Sequence, residues 1–168
     1  VAIEISLRAA GVGVGDEVII PGLTFIATLS AVLQVNAIPI VVDVDYETQC
    51  IDPNAIEEHI TERTRAVIPV HFGGFVCDMD RIRSICRKHD LVCIEDAAHA
   101  HGAIYQSGDR VGTLGDLATF SFQESKTMTA GEGGMIVTDD PELAEACVMF
   151  RSCGRKKGRS WYEHFDMP

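Results

Sequence analysis

Short apolar runs alternate with stretches of helical spacing along the whole chain. Residues 18–20, 38–44, 66–70, 91–94, 118–122 and 135–137 are compact runs rich in β-branched or other apolar side chains, the pattern of strands buried on both faces. Between them, residues 24–35 place Phe25, Leu29, Val32 and Leu33 at helical spacing and stop near Asn36. Residues 78–89 predict an amphipathic helix with Met79, Ile82, Ile85 and Cys86 inward. Asp52 followed by Pro53 reads as an N-cap with proline at the first helical position, opening a helix over 54–60. Residues 3–10 read as the last turns of a helix, and 141–150 as a helix capped by Asp139 or Asp140. There is no internal repeat, low-complexity segment or linker. The alternation predicts an α/β fold of three layers, α/β/α, around a mostly parallel sheet. Ligands of such sheets bind outside the carboxyl ends of the strands. His71, Asp96 and Ser121 all fall at predicted strand ends.

Two segments there carry candidate chemistry. In Ile94-Glu95-Asp96-Ala97-Ala98-His99-Ala100-His101-Gly102 a buried strand runs into carboxylates and two imidazoles. In Phe120-Ser121-Phe122-Gln123-Glu124-Ser125-Lys126 a lysine follows a strand, with Gly131-Glu132-Gly133-Gly134 just beyond it. An acid at a strand end and a lysine in a Ser- and Gly-lined turn suit pyridoxal phosphate (PLP). The lysine amine forms a Schiff base with the cofactor aldehyde, and the acid keeps the pyridine nitrogen protonated. The ordinary reading of Lys126 alone is a surface lysine in a loop. That of Asp96 is an N-cap, with capping and cofactor pairing open to division between Glu95 and Asp96. From spacing alone Phe25 reads as a core phenylalanine, and His71 as either a ligand contact or a loop residue.

Other motifs are set aside. Gly131 to Gly134 lacks the frame of a P-loop. Gly11-Val12-Gly13-Val14-Gly15 precedes a strand rather than following one, as a dinucleotide loop would. His99 and His101 form an H-x-H without further ligands at zinc-like spacing, so no metal is expected.

Composition narrows the classes. The 168 residues are 46% hydrophobic and 23% charged, with a net charge of −11. That length supports one domain with a real core. The acidic balance argues against nucleic acid or an anionic membrane as partner. No apolar run approaches the ~20 residues of a membrane span, and no secretory signal is visible. Six scattered cysteines with no C-x-x-C pair predict buried, reduced thiols in a cytoplasmic protein. Arg151, Arg155, Lys156, Lys157 and Arg159 form a basic cluster, read as a solvated loop near a dimer interface or as a contact for a carboxylate donor or substrate phosphate.

The two segments, together with Gly15-Asp16-Glu17-Val18-Ile19-Ile20-Pro21 and Pro21-Gly22-Leu23-Thr24-Phe25, are collinear with a known pattern over essentially the whole chain. The chain resembles the PLP-dependent sugar aminotransferases of the DegT/DnrJ/EryC1/StrS family, within the fold-type I, aspartate-aminotransferase superfamily. The resemblance implies Lys126 as the Schiff-base lysine and Asp96 as the partner of the pyridinium nitrogen. It implies Ser121 at the cofactor phosphate and Phe25 stacked on the pyridine ring. His99 stands where many members have a glutamine contacting the cofactor's phenolic oxygen, a role an imidazole donor can also fill.

The implied reaction moves an amino group from glutamate or glutamine to a keto-sugar or keto-cyclitol. Relatives that act as dehydratases replace the lysine with histidine, and Lys126 is intact. A fold-type I lyase or desulfurase, or a non-catalytic fragment or partner subunit, are the alternatives. The resemblance also implies that residues 1–168 are a PLP-binding large domain incomplete at both ends. A Gly-Thr phosphate turn would lie before Val1 and a small C-terminal domain after Pro168. A homodimer is implied, with weak PLP binding and poor turnover by these residues alone.

Overall fold

The computed structural model describes residues 1–155 and 158. Helices α1 (Ala2–Ala9), α2 (Ile26–Gln34), α3 (Pro53–Glu58), α4 (Met79–His89) and α5 (Pro141–Arg151) alternate with strands. The strands are β1 (Glu17–Pro21), β2 (Ile38–Val42), β3 (Thr64–Val67), β4 (Val92–Asp96), β5 (Leu117–Ser121) and β6 (Gly134–Val137). They form one six-stranded sheet in the order β2-β1-β3-β4-β5-β6. All neighbours run parallel except β5 and β6, which are antiparallel.

Alternation along each strand splits the core in two. Val18, Ile20, Ala66, Ile68, Ile94 and Leu117 pack with residues of α1, α2 and α5. Ile19, Val42, Val67 and Cys93 pack on the other face with residues of α3 and α4. Period-two side-chain direction under helices on both faces produces this three-layer arrangement, as the apolar runs predict.

The caps follow the sequence closely. Asp52 accepts from the Asn54 N–H at 2.8 Å, and Asp140, not Asp139, caps α5 through the N–H groups of Glu142 and Leu143. Asn36 terminates the α2 segment with φ of 60°, a left-handed conformation asparagine tolerates.

Three expectations shift. β2 stops at Val42, and Val44 makes only an isolated bridge to Ile51. β3 starts earlier than expected and ends at Val67. β4 runs on through both acids because Glu95 and Asp96 pair with Ala118 and Thr119 of β5. Five cysteines are buried and unpaired, but Cys153 is exposed, against the expectation of uniformly buried thiols. Lys156, Lys157 and Arg159 of the basic cluster lie outside the described residues. Among the described residues no helix is long and apolar enough to cross a membrane.

Candidate functional site

Because β1 to β5 are parallel, their carboxyl ends share one edge of the sheet. The segments leaving β1, β3, β4 and β5 there carry Phe25, His71, Asp96 with His99, and Ser121 with Lys126. The order β2-β1-β3 also places a reversal of strand order beside β1, where crevices open in sheets of this kind.

The two adjacent acids of β4 point to opposite faces. Asp96 follows Ile94 onto the α2 face, and Glu95 follows Cys93 onto the α4 face. Asp96 is 7% exposed. Its Oδ2 accepts from the Thr28 hydroxyl at 2.9 Å and its Oδ1 from the Ala98 N–H at 3.2 Å. The Thr24 and Thr28 hydroxyls lie 2.8 Å apart. The Ala98 contact makes Asp96 a local backbone cap as well. Among the described residues no cationic side chain forms an ion pair with it. The other buried acids are more fully partnered: Glu17 pairs with Arg63, and Glu95 meets the His71 imidazole as well as backbone N–H groups.

Glu95 is fully buried and is not part of the open site. Its carboxylate accepts from the N–H groups of Gly112, Leu114 and Gly115 at 2.7–3.0 Å and from His71 Nε2 at 3.0 Å. The Cys77 N–H donates to His71 Nδ1 at 3.2 Å, which leaves the ring proton on Nε2, aimed at Glu95. His71 is therefore a residue of the loop after β3, as one of the two readings had it, but it is buried against Glu95 rather than exposed to a ligand. Burial pushes the Glu95 carboxyl up, but the hydrogen bonds from His71, Gly115 and Gly112 outweigh it, and the net shift is downward. The turn can approach this closely because of glycine. A Cβ at Gly115 would lie 2.7 Å from the Cys93 carbonyl oxygen.

His99 links the loops after β3 and β4. Its Nδ1 accepts from the Gly73 N–H at 3.3 Å, and Phe72 meets its ring edge-on at 6.0 Å. Its imidazole is held below the usual value, first by burial and then by the Lys126 ammonium, with the Asp96 carboxylate opposing. Lys126, Asp96 and His99 thus share one electrostatic neighbourhood.

Lys126 is half-buried in a turn closed by its own N–H to the Gln123 carbonyl at 2.9 Å. The loop is tied at its base by Phe122 N–H to Gly133 O and by Ala130 N–H to Phe122 O, both 2.9 Å. Ser121 ends β5, half-buried, and its Oγ accepts only a long 3.4 Å contact from the Gln123 N–H. His101 packs beside Phe120 and Phe122, with Thr127 Oγ1 at 3.4 Å from its Nδ1.

Phe25 is the N-cap residue of α2 and is 68% exposed. It is not the core phenylalanine that spacing favours. Leu33 is exposed too, and the buried face of α2 is Thr28, Ala31 and Val32. Thr28 is a site residue the spacing argument passes over. Its signal is a hydroxyl on the apolar stripe of a helix.

The sequence model of the DegT/DnrJ/EryC1/StrS aminotransferase family matches residues 1–167. The chain belongs to this family. It is 51% identical, over 92% of its length, to an L-glutamine:scyllo-inosose aminotransferase of Streptomyces griseus, of which it covers 36%. A crystal structure of 3-amino-5-hydroxybenzoic acid (AHBA) synthase superposes on 99% of the chain with a TM-score of 0.93 and 43% identity, and the chain covers 44% of it. NtdA from Bacillus subtilis, solved with bound cofactor PMP, has a TM-score of 0.89 at 39% identity over 98% of the chain, which covers 37% of it. The chain therefore spans about two-fifths of the length of these DegT/DnrJ/EryC1/StrS relatives.

Proposed function

We propose that residues 1–168 are the cofactor-binding large domain of a PLP-dependent aminotransferase, whose small domain lies beyond them. The observation that carries this reading is Asp96, a buried carboxylate with no ion pair to a cationic side chain among the described residues, at the same sheet edge as Lys126. An ionised carboxylate in such a place wants an opposite charge. A protonated pyridine N–H supplies one, so the residues fit the group. PLP supplies an aldehyde that exchanges amines and a ring that takes up electrons.

The chain's own residues then divide the work. Lys126 Nζ anchors the cofactor and moves the proton at the substrate carbon. Asp96 holds the ring nitrogen. A depressed imidazole is neutral near pH 7, and the Gly73 N–H occupies Nδ1, so His99 presents an Nε2–H that can donate to the phenolic oxygen. Ser121 offers its hydroxyl to the phosphate, and the exposed ring of Phe25 covers one face of the pyridine. The name of the Streptomyces griseus relative supports glutamine as amino donor and a keto-cyclitol as acceptor. Leu23, Phe25 and Ile26 are exposed apolar side chains in a short run, which supports a homodimer covering them. The unpaired buried thiols support a cytoplasmic setting.

The test is an absorbance titration with PLP of wild type and Lys126→Ala, followed by borohydride reduction and peptide mapping. The expected result is a visible band and a reduced adduct on Lys126, both lost in the variant. A wild-type band with the adduct on another residue would overturn the assignment of Lys126.

A further inference from the structure

We infer that Thr28, backed by Thr24, is a positioning residue that sets the Asp96 carboxylate for a ring N–H. The inference rests on the PLP reading above and deepens it at one contact. Thr28 is fully buried on the core face of α2, where its neighbours Ala31 and Val32 are apolar. A hydroxyl buried there is costly unless bonded. A helical threonine has a local option, the carbonyl one turn earlier. The Thr28 proton instead crosses to β4 and meets Asp96 Oδ2 at 2.9 Å.

A hydroxyl has one proton, and an ionised carboxylate only accepts. The Thr28 proton therefore belongs to Asp96, and Thr24, at 2.8 Å, donates its own to Thr28 Oγ1. The chain runs one way, Thr24 to Thr28 to Asp96, so Thr24 keeps the Thr28 hydroxyl aimed at the carboxylate. Ala98 N–H holds the other carboxylate oxygen from a different element. Two donors from α2 and from the turn after β4 thus fix the plane of the carboxylate. The lone pairs they leave open are the ones a ring N–H can use. If Thr28 merely tied α2 to the sheet, its loss would lower stability and leave the cofactor's ring nitrogen untouched.

The experiment uses the whole gene product with 15N-labelled PLP. It compares wild type, Thr28→Val, Thr28→Ser and Thr24→Val. The readouts are the cofactor dissociation constant and the pH titration of the pyridine 15N resonance, with thermal melting alongside. Thr28→Val is expected to weaken PLP binding about ten- to a hundredfold, as loss of a hydrogen bond to a charged group would. Its ring nitrogen should also lose its proton at lower pH than in wild type. Thr28→Ser should restore both, and Thr24→Val should shift the nitrogen titration in the same direction by less.

Wild-type affinity and an unshifted 15N titration in Thr28→Val would overturn the inference and leave the aminotransferase reading intact. If Thr28→Val does not fold, an unshifted titration in a folded Thr24→Val overturns it equally. A wild type that binds no PLP sinks the aminotransferase reading and this inference with it.

Discussion

Glu95 and Asp96 are neighbours in sequence and both are buried, yet they are solvated by the protein in opposite ways. Glu95 is saturated: three backbone N–H groups and an imidazole surround it. Asp96 has a hydroxyl and one N–H, and no cation among the described residues. The strand's alternation sends one acid under α4, into a closed brace, and the other towards α2 at the open sheet edge. A saturated buried acid holds the fold together. An unsaturated one is costly until something binds.

The comparison breaks most readily at Glu95. Glu95→Gln puts an NH2 against backbone N–H donors and is expected to destabilise the protein by about 3–5 kcal/mol, lowering Tm by roughly 6–20 °C. Because the folded Glu95 carboxyl titrates below its ordinary value of 4.5, its contribution is present above that pH and is lost as pH falls through the folded value. The gap in stability between wild type and variant should therefore narrow in acid. A Tm within a degree of wild type at pH 7 would contradict the brace.

Asp96→Asn should do the reverse. Cofactor affinity is expected to fall about thirtyfold to a thousandfold, while the cofactor-free protein melts at or slightly above the wild-type temperature. A large loss of stability without cofactor would erase the distinction between the two acids.

The smallest effect lies at His99. Its imidazole is depressed from 6.5, so the neutral form is favoured by folding. Stability is then fully present above the unfolded value and declines as pH falls through it towards the folded one, because the unfolded chain takes up the proton first. Lys126→Ala removes a neighbouring cation and should move the His99 titration, followed by NMR, upward. No movement would separate Lys126 from the neighbourhood of Asp96 and His99.

Much of this was readable before folding was considered. A run such as Val92-Cys93-Ile94 ending in acids marks a buried strand and its carboxyl terminus, but it leaves Glu95 and Asp96 undivided, and only the family resemblance singles out Asp96. Lys126 stands out by its Ser- and Gly-rich turn, and its role is what the resemblance implies. The face of α2 did not follow, because Ile26 to Gln34 is apolar nearly all round and periodicity then has little contrast. Size favoured Phe25 and Leu33, whereas close packing on the sheet selected Thr28, Ala31 and Val32. The Glu95 brace was hidden for another reason. Its partners come from the turn at Gly112 to Gly115 and from His71, and only the parallel register of β3, β4 and β5 brings those segments together.

The antiparallel return of β6 has a practical side. Phe122 and Gly133 face each other across a single 2.9 Å hydrogen bond, so everything between them is a cassette with both ends already joined. Side chains can be exchanged within it without sliding β5 against β6, so long as Thr129 and Ala130 keep their bonds to the Phe122 carbonyl. The lysine-bearing segment is thus a natural unit for exchange with the matching segment of a relative, with Phe122 and Gly133 as the seams.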